Sequence, residues 1–352
     1  MRILIVSRYF PPETGAAQAR LSGLAAALAA AGDEVTVLTG MPSYPAGIRP
    51  PAYRHAIRRR ERRAGYQVVR TWLYAAPATS IARKTVSQLS FMVTSVLLGW
   101  RASGKADAVV VSSPTFFSIA SAWLLARLKR ARLVVEIRDL WPAILVELGV
   151  LRNRKLIWLL ERLELAAYAA ADEVVVVSDG FRASLVERGV PAAKVHTIRD
   201  GVTLSEFDPA RQPDPYLRAG LGARPGECLV LYAGTHGISQ GLPEAAEAAT
   251  RLTGRPVHLA FVGDGADKPR LAHRVTELNL TNVTLANAIP SAMMPALLAS
   301  ADILLVTLRD APLFDTFIPS KIFEYLAAGR PVIGAVTGEA APQSRRPRPL
   351  QA

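Results

Sequence analysis

Short, continuous apolar runs alternate with longer alanine- and leucine-rich stretches along most of the chain. In the first half the runs at 3–6, 35–38, 68–73, 108–111, 133–137 and 174–177 predict strands. The stretches at 18–30, 116–128 and 156–169 predict helices. Strands that are apolar throughout, and not merely at every second position, suit a parallel sheet buried on both faces. A proline- and glycine-bearing stretch at 208–226 then interrupts the pattern and reads as a linker. The alternation restarts with strands predicted at 229–232, 258–262, 283–286, 303–306 and 332–334. Two βα arrays of this kind predict an α/β protein of two Rossmann-like domains facing across a cleft. The expected boundaries are 1–207, a linker at 208–226, 227–341, and a tail at 342–352.

Composition narrows the setting. Of 352 residues, 50% are hydrophobic and 20% charged, enough for sizeable cores. The formal net charge is +13, with basic clusters at 58–63, 127–132 and 345–348. Such clusters suit anionic partners or an ordinary solvated face, and both readings stay open. Nucleic acid is not expected, because the clusters lack interleaved aromatics or a reader motif. Cys228 is the single cysteine, so neither an internal disulfide nor a cysteine-based zinc site can form, which fits a reducing cytoplasm. No uncharged apolar run reaches the length of a membrane span. The segment 81–100, basic at its start and apolar in its second half, suits a membrane interface, a cap over an acceptor groove, or a buried packing helix.

The candidate chemistry lies at strand ends. After the first strand, RYFPPETGAA at 8–17 offers a loop of small residues around Gly15, but not the G-x-G-x-x-G of a nicotinamide site. EIRDLWP at 136–142 puts Arg138 and Asp139 at the end of a buried strand. There Asp139 could orient or deprotonate a hydroxyl, or simply pair with Arg138. YAGTHGISQG at 232–241 brings Gly234, His236 and Gly237 after the first strand of the second array, where backbone amides can reach a pyrophosphate. Gly263 follows the next strand, with Lys268 and Arg270 soon after. FIPSKIFEYLAAGRPVIG at 317–334 predicts a loop, a short helix and a strand. Its first helical turn carries Ser320, Lys321 and Glu324, a set suited to a phosphate and a sugar hydroxyl. The histidines share no ligand spacing and there is no Asp-x-Asp, so no metal is expected.

These segments resemble the family-4 group of retaining glycosyltransferases with the GT-B fold. The likeness is greatest to the bacterial branch that builds surface polysaccharide, including amino-sugar transferases acting on lipid-linked acceptors. It rests on SRYFPPETG, LTGMPSYPAG, EIRDLWPA, VVVVSDGFRASLVERGV, IRDGVTLSEF, YAGTHGISQGL, FVGDGADKPRL and FIPSKIFEYLAAGRPVIG, in that order. The resemblance implies a nucleotide-sugar donor held by the second domain and a saccharide or lipid-linked acceptor held by the first. It implies no cofactor and a cytoplasmic protein, peripheral on the inner membrane face. Glu324 matches the glutamate that grips the ribose, Ser320 and Lys321 match phosphate contacts, and Asp139 matches the acid near the reacting sugar.

Three departures stand out. Thr316 occupies the place of a second glutamate eight positions before Glu324. The loop from Thr235 to Gln240 lacks the arginine and lysine common in relatives, which leaves Lys321, Lys268 or Arg270 to balance the diphosphate. The tail at 342–352 has no hydrophobic period, predicts disorder, and resembles an out-of-frame reading that would leave the second domain incomplete. A natural short variant completed by another chain is the alternative, and an inactive remnant is the corresponding functional alternative. A nicotinamide-dependent oxidoreductase stands further behind.

Overall fold

The computed structural model describes residues 1–341 apart from 14, 45, 78–80 and 114–115; the tail at 342–352 lies outside the described residues. The chain forms two compact units. One comprises Met1–Val146, Leu151–Val176 and Arg182–Thr197. The other comprises Glu147–Val150, Val177–Phe181 and the described chain from Ile198 on.

The first unit is built on β1 (Arg2–Ser7), β2 (Glu34–Gly40), β3 (Arg58–Arg63), β4 (Tyr66–Thr71), β5 (Ala108–Ser112), β6 (Arg132–Ile137), β7 (Glu173–Val176) and β8 (Val195–Thr197). They form one sheet in the order β3-β4-β2-β1-β5-β6-β7-β8. Every pairing is parallel except β3 with β4. The connecting helices are α1 (Ala16–Ala30), α2 (Ile81–Leu97), α3 (Phe116–Lys129), α4 (Ala143–Glu147), α5 (Arg154–Ala170) and α6 (Asp179–Glu187). Ile5, Val35, Val37 and Val68 from the sheet bury Leu21 and Ala25 of α1. Burying such side chains stabilises by roughly 1.5–3 kcal/mol each for the larger ones.

The arginine run at 58–63 is strand β3, an element that hydrophobic patterning does not reveal. It is an edge strand, and its charge discourages pairing with another chain. It is also partly structural. Glu61 takes the Nε of the fully buried Arg70 at 3.0 Å and lies 3.7 and 3.8 Å from Arg59 and Arg63.

The second unit carries β9 (Cys228–Ala233), β10 (Val257–Val262), β11 (Val283–Ala286), β12 (Ile303–Thr307) and β13 (Val332–Ala335), all parallel, in the order β11-β10-β9-β12-β13. Its helices are α7 (Pro215–Gly220), α8 (Leu242–Glu247), α9 (Lys268–Glu277), α10 (Met294–Ala299) and α11 (Lys321–Ala327). The stretch 208–226, expected as a linker, carries α7 in this structure. Asp214 caps α7 by accepting the amides of Tyr216 and Leu217, and Leu221 and Ala223 enter the core beside Leu229 and Leu304. Prolines and glycines punctuate this stretch without freeing it from the fold.

Candidate functional site

The second sheet reverses direction at β9. From this central strand the chain runs outward to β10 and β11, then returns to the other side for β12 and β13. At such a reversal the loops leaving the strands' carboxyl ends part and open a crevice. Ala233 of β9 stands opposite Val262 of β10, so the loops that begin at Gly234 and Gly263 start side by side. The Gly234 amide donates to the Val262 carbonyl at 2.9 Å. A Cβ on Gly263 would lie 1.8 Å from the Gly234 carbonyl oxygen, and its φ is +155°. Only glycine permits that approach.

His236 locks the two loops together. Its amide donates to Asp264 and its carbonyl accepts from Asp267, both at 2.9 Å. Its imidazole is fully buried, 5.8 Å from the Tyr232 ring centre to centre, and neither ring nitrogen has a partner. Burial, reinforced by the charges of Lys268 and Lys321, pushes its pKa down to about 4. At neutral pH it is therefore an uncharged ring with one donor and one acceptor.

Helix α11 supplies the cation. Tyr325 anchors it to β9, its hydroxyl donating to the Ala233 carbonyl at 3.0 Å and accepting from the Ala233 amide at 2.9 Å. Lys321 lies four residues earlier on the same helix face and reaches the same strand end. Its Nζ sits 3.5 Å from the centre of the Tyr232 ring, and 2.9 Å from where a Cβ on Gly234 would stand. The ammonium is buried without a hydrogen-bond acceptor. Burial pushes its pKa down to about 7, with Glu324 opposing. Gln240 Oε1, on the same loop as His236, is a further buried polar atom without a partner. Leaving each such group unsatisfied costs roughly 1–3 kcal/mol. Their clustering at one strand end marks a place where a polar ligand would replace lost water.

The structure distinguishes the other expected site residues. Lys268 gives its ammonium to the carbonyls of Gly263 and Ala286, at 2.9 and 3.1 Å, and to Asn287 Oδ1 at 2.8 Å, so it braces the loop. Arg270 pairs with Glu244 and lies 3.7 Å from Asp267. Of the three cations expected to balance a diphosphate, Lys321 alone lacks an acceptor. Gly237 packs against the Gln240 side chain, whose Oε1 would lie 2.6 Å from an added Cβ. Ser320 is exposed and precedes α11 without capping it through its side chain. Glu324, in the first turn of α11, is partly buried, and burial raises its pKa despite Lys321. Thr316 lies in the second unit too, its carbonyl accepting from Ser178 Oγ at 2.6 Å.

Gly15, Arg138 and Asp139 belong to the first unit. Gly15 immediately precedes α1. Arg138 and Asp139 follow β6 directly, and burial raises the Asp139 pKa while Arg138 opposes it. Sequence reasoning missed Arg309. It follows β12 closely, its Cγ would lie 3.3 Å from a Cβ on Gly241, and its charge acts on Asp267. Its place after a strand flanking the reversal was the available signal. Among the described residues, no group of three or more His, Cys, Asp or Glu side chains is arranged to hold a metal ion.

Comparison with known proteins decides the family. Residues 15–201 match the glycosyl transferase 4-like domain, and residues 227–345 match glycosyl transferases group 1. The chain belongs to the glycosyltransferase family. It is 30% identical over 97% of its length to WcaI of Escherichia coli (strain K12), a protein assigned as a colanic acid biosynthesis glycosyl transferase, and covers 84% of that protein. It is 27% identical to WbjE of Pseudomonas aeruginosa, assigned as a glycosyltransferase, over 58% of this chain and 50% of that one. The solved structure of sucrose-phosphate synthase from Thermosynechococcus elongatus superposes with a TM-score of 0.72 at 22% identity, covering 96% of this chain and 82% of that one. HepE from Anabaena in complex with UDP and glucose gives 0.67 at 18%, covering 97% and 82%. These likenesses establish the GT-B glycosyltransferase fold, with its two Rossmann-like sheets.

Proposed function

We propose that this glycosyltransferase moves a sugar, of hexosamine type, from a nucleoside diphosphate to a saccharide or lipid-linked acceptor in surface polysaccharide synthesis. The observation that carries the proposal is the buried, unpartnered Lys321 ammonium beside Gly234 and the neutral His236, at the reversal of the second sheet. A diphosphate there would give the ammonium its missing acceptor, and the amides around Gly234, Gly237 and Gly263 would supply further donors. Glu324, one turn along α11, would take the ribose hydroxyls. Ser320 and Arg309 would stand at the outer side of the phosphates. The WcaI relative, named for colanic acid biosynthesis, supports polysaccharide as the setting, and HepE with UDP supports a nucleotide in this fold.

The second domain would hold the donor and the first the acceptor, on the inner membrane face. Asp139 would sit by the reacting sugar, its pKa raised by burial while the Arg138 charge opposes the rise. Retention, which the family resemblance implies, would proceed by same-face attack, since no nucleophile stands out among the described residues. The acceptor oxygen bonds to the anomeric carbon, the bond from that carbon to the diphosphate oxygen breaks, and the acceptor proton passes to the departing diphosphate. No metal or organic cofactor takes part in this scheme.

A panel of UDP-, GDP- and dTDP-sugars, with membrane extract as acceptor, tests it. Transfer of label from one donor, lost in Glu324→Ala, is the expected result. No turnover of any donor by a well-folded chain would favour an inactive remnant.

A further inference from the structure

Helix α2 presents an apolar stripe to solvent. Val86, Leu89, Val93, Leu97 and Trp100, spaced three or four apart along and just beyond the helix, are all exposed, Leu97 by 74% and Val86 by 50%. The opposite face, with Ser87, Phe91 and Ser95, is buried, so the stripe is the helix's outer side. With Trp72 it forms a shallow groove. The neighbouring helix continues it: Trp123, Leu124 and Leu128 of α3 are 39–44% exposed, and α2 and α3 pack on each other.

The charges on these two helices are all of one sign. Neither α2 nor α3 contains an acidic residue. Arg83 and Lys84 lie in the first turn of α2, and Arg127 and Lys129 in the last turn of α3. Each exposed tryptophan of this surface carries an arginine on its ring, Arg49 on Trp72 at 5.1 Å, Arg101 on Trp100 at 5.2 Å and Arg127 on Trp123 at 5.9 Å. An aromatic ring with a guanidinium against it matches the boundary between acyl chains and headgroups. There the ring stays at the apolar edge and the cation meets phosphate. No helix among the described residues is long and apolar enough to cross a membrane, so the surface would lie on a bilayer and not span it.

We infer that the α2–α3 face is a docking surface for an anionic lipid bilayer, with Val93, Leu97 and the tryptophans entering the headgroup boundary and the arginines meeting lipid phosphate. The inference rests on the proposed peripheral setting and deepens it by assigning the surface and the lipid charge.

The test is sedimentation of the full chain with vesicles of phosphatidylcholine alone or with phosphatidylglycerol, without nucleotide. Binding to the phosphatidylglycerol vesicles is expected, with a blue shift of tryptophan emission. Val93→Asp with Leu97→Asp should weaken it about tenfold or more, a change of about 1.4 kcal/mol per tenfold. Both positions are exposed, so circular dichroism should be unchanged. Tyr216→Asp, an exposed substitution in the second unit, should leave binding intact. Absence of binding at low salt, equal binding to phosphatidylcholine alone, or undiminished binding by the double variant overturns the inference. A dimer that the double variant dissolves, without lipid binding, assigns the face to a second copy instead. Sugar-nucleotide turnover with a soluble acceptor should survive in the double variant, so failure of lipid binding leaves the transferase reading standing, and the reverse also holds.

Discussion

The Lys321 ammonium lies 3.5 Å above the centre of the Tyr232 ring, buried and without a hydrogen-bond acceptor. The ring's negative face offsets part of the lost hydration, by roughly 0.5–2 kcal/mol. The remainder is a cost carried by the unliganded protein. Sites that bind polyanions hold such costs because the ligand relieves them.

Lys321→Met therefore should raise stability and remove donor binding together. The thioether fills the same volume and keeps contact with Tyr232. A gain of about 1–2 kcal/mol at pH 7 is expected, read by denaturant unfolding. Lys321 has its folded pKa near 7, below the ordinary 10.5. Between those values the unfolded chain binds the extra proton, so wild-type stability rises with pH. The advantage of methionine should accordingly be full below pH 7 and shrink toward pH 10. A destabilised variant at neutral pH would contradict the burial of a charged ammonium.

Donor binding should take up a proton just above neutrality. In the free protein Lys321 loses its proton near pH 7, and a bound diphosphate would raise that value. Calorimetry at pH 8 in buffers of different ionisation enthalpy should show uptake. Affinity should fall by up to about tenfold per pH unit above 7 until the bound-state pKa is reached. Both effects should vanish in Lys321→Met.

Gly263→Ala probes the close approach of the two loops. The added methyl would meet the Gly234 carbonyl oxygen at 1.8 Å, and the cost should be about 1–3 kcal/mol or more. Gly254→Ala is the control: its φ is +79° but its Cβ would meet nothing within 4 Å. Equal destabilisation by the two would show that backbone strain alone, and not the loop contact, accounts for the effect.

Much of this was visible in the residues and some was not. The apolar runs around 229–232 and 258–262 marked β9 and β10, and their glycine loops pointed to the reversal of the sheet. The separate fates of Lys268, Arg270 and Lys321 could not be read, because each is simply a cation near a loop. Register decides among them: Ala286 ends β11 beside Val262, which brings its carbonyl and Asn287 within reach of Lys268. Strand β3 was hidden because five arginines around Glu61 obscure any apolar alternation. The helix at 215–220 was hidden because its prolines and glycines sit at its boundaries, where they punctuate without breaking the fold.

Asp139 should matter to transfer and not to donor binding. Asp139→Asn keeps size and hydrogen bonding but removes the ionisable proton. We expect an unchanged nucleotide affinity and a loss of turnover of about 100-fold, measured as kcat. An unchanged kcat would reduce Asp139 to a structural residue.

The central claim is that the Gly234–Lys321–Glu324 site holds the nucleotide of a sugar donor. It is tested most directly by titrating the UDP-, GDP- and dTDP-sugars into wild type, Lys321→Met and Glu324→Ala by calorimetry. One nucleotide should bind the wild type, and each variant should lose about tenfold or more, or 1.4 kcal/mol per tenfold. Binding by all three proteins with equal affinity would contradict it.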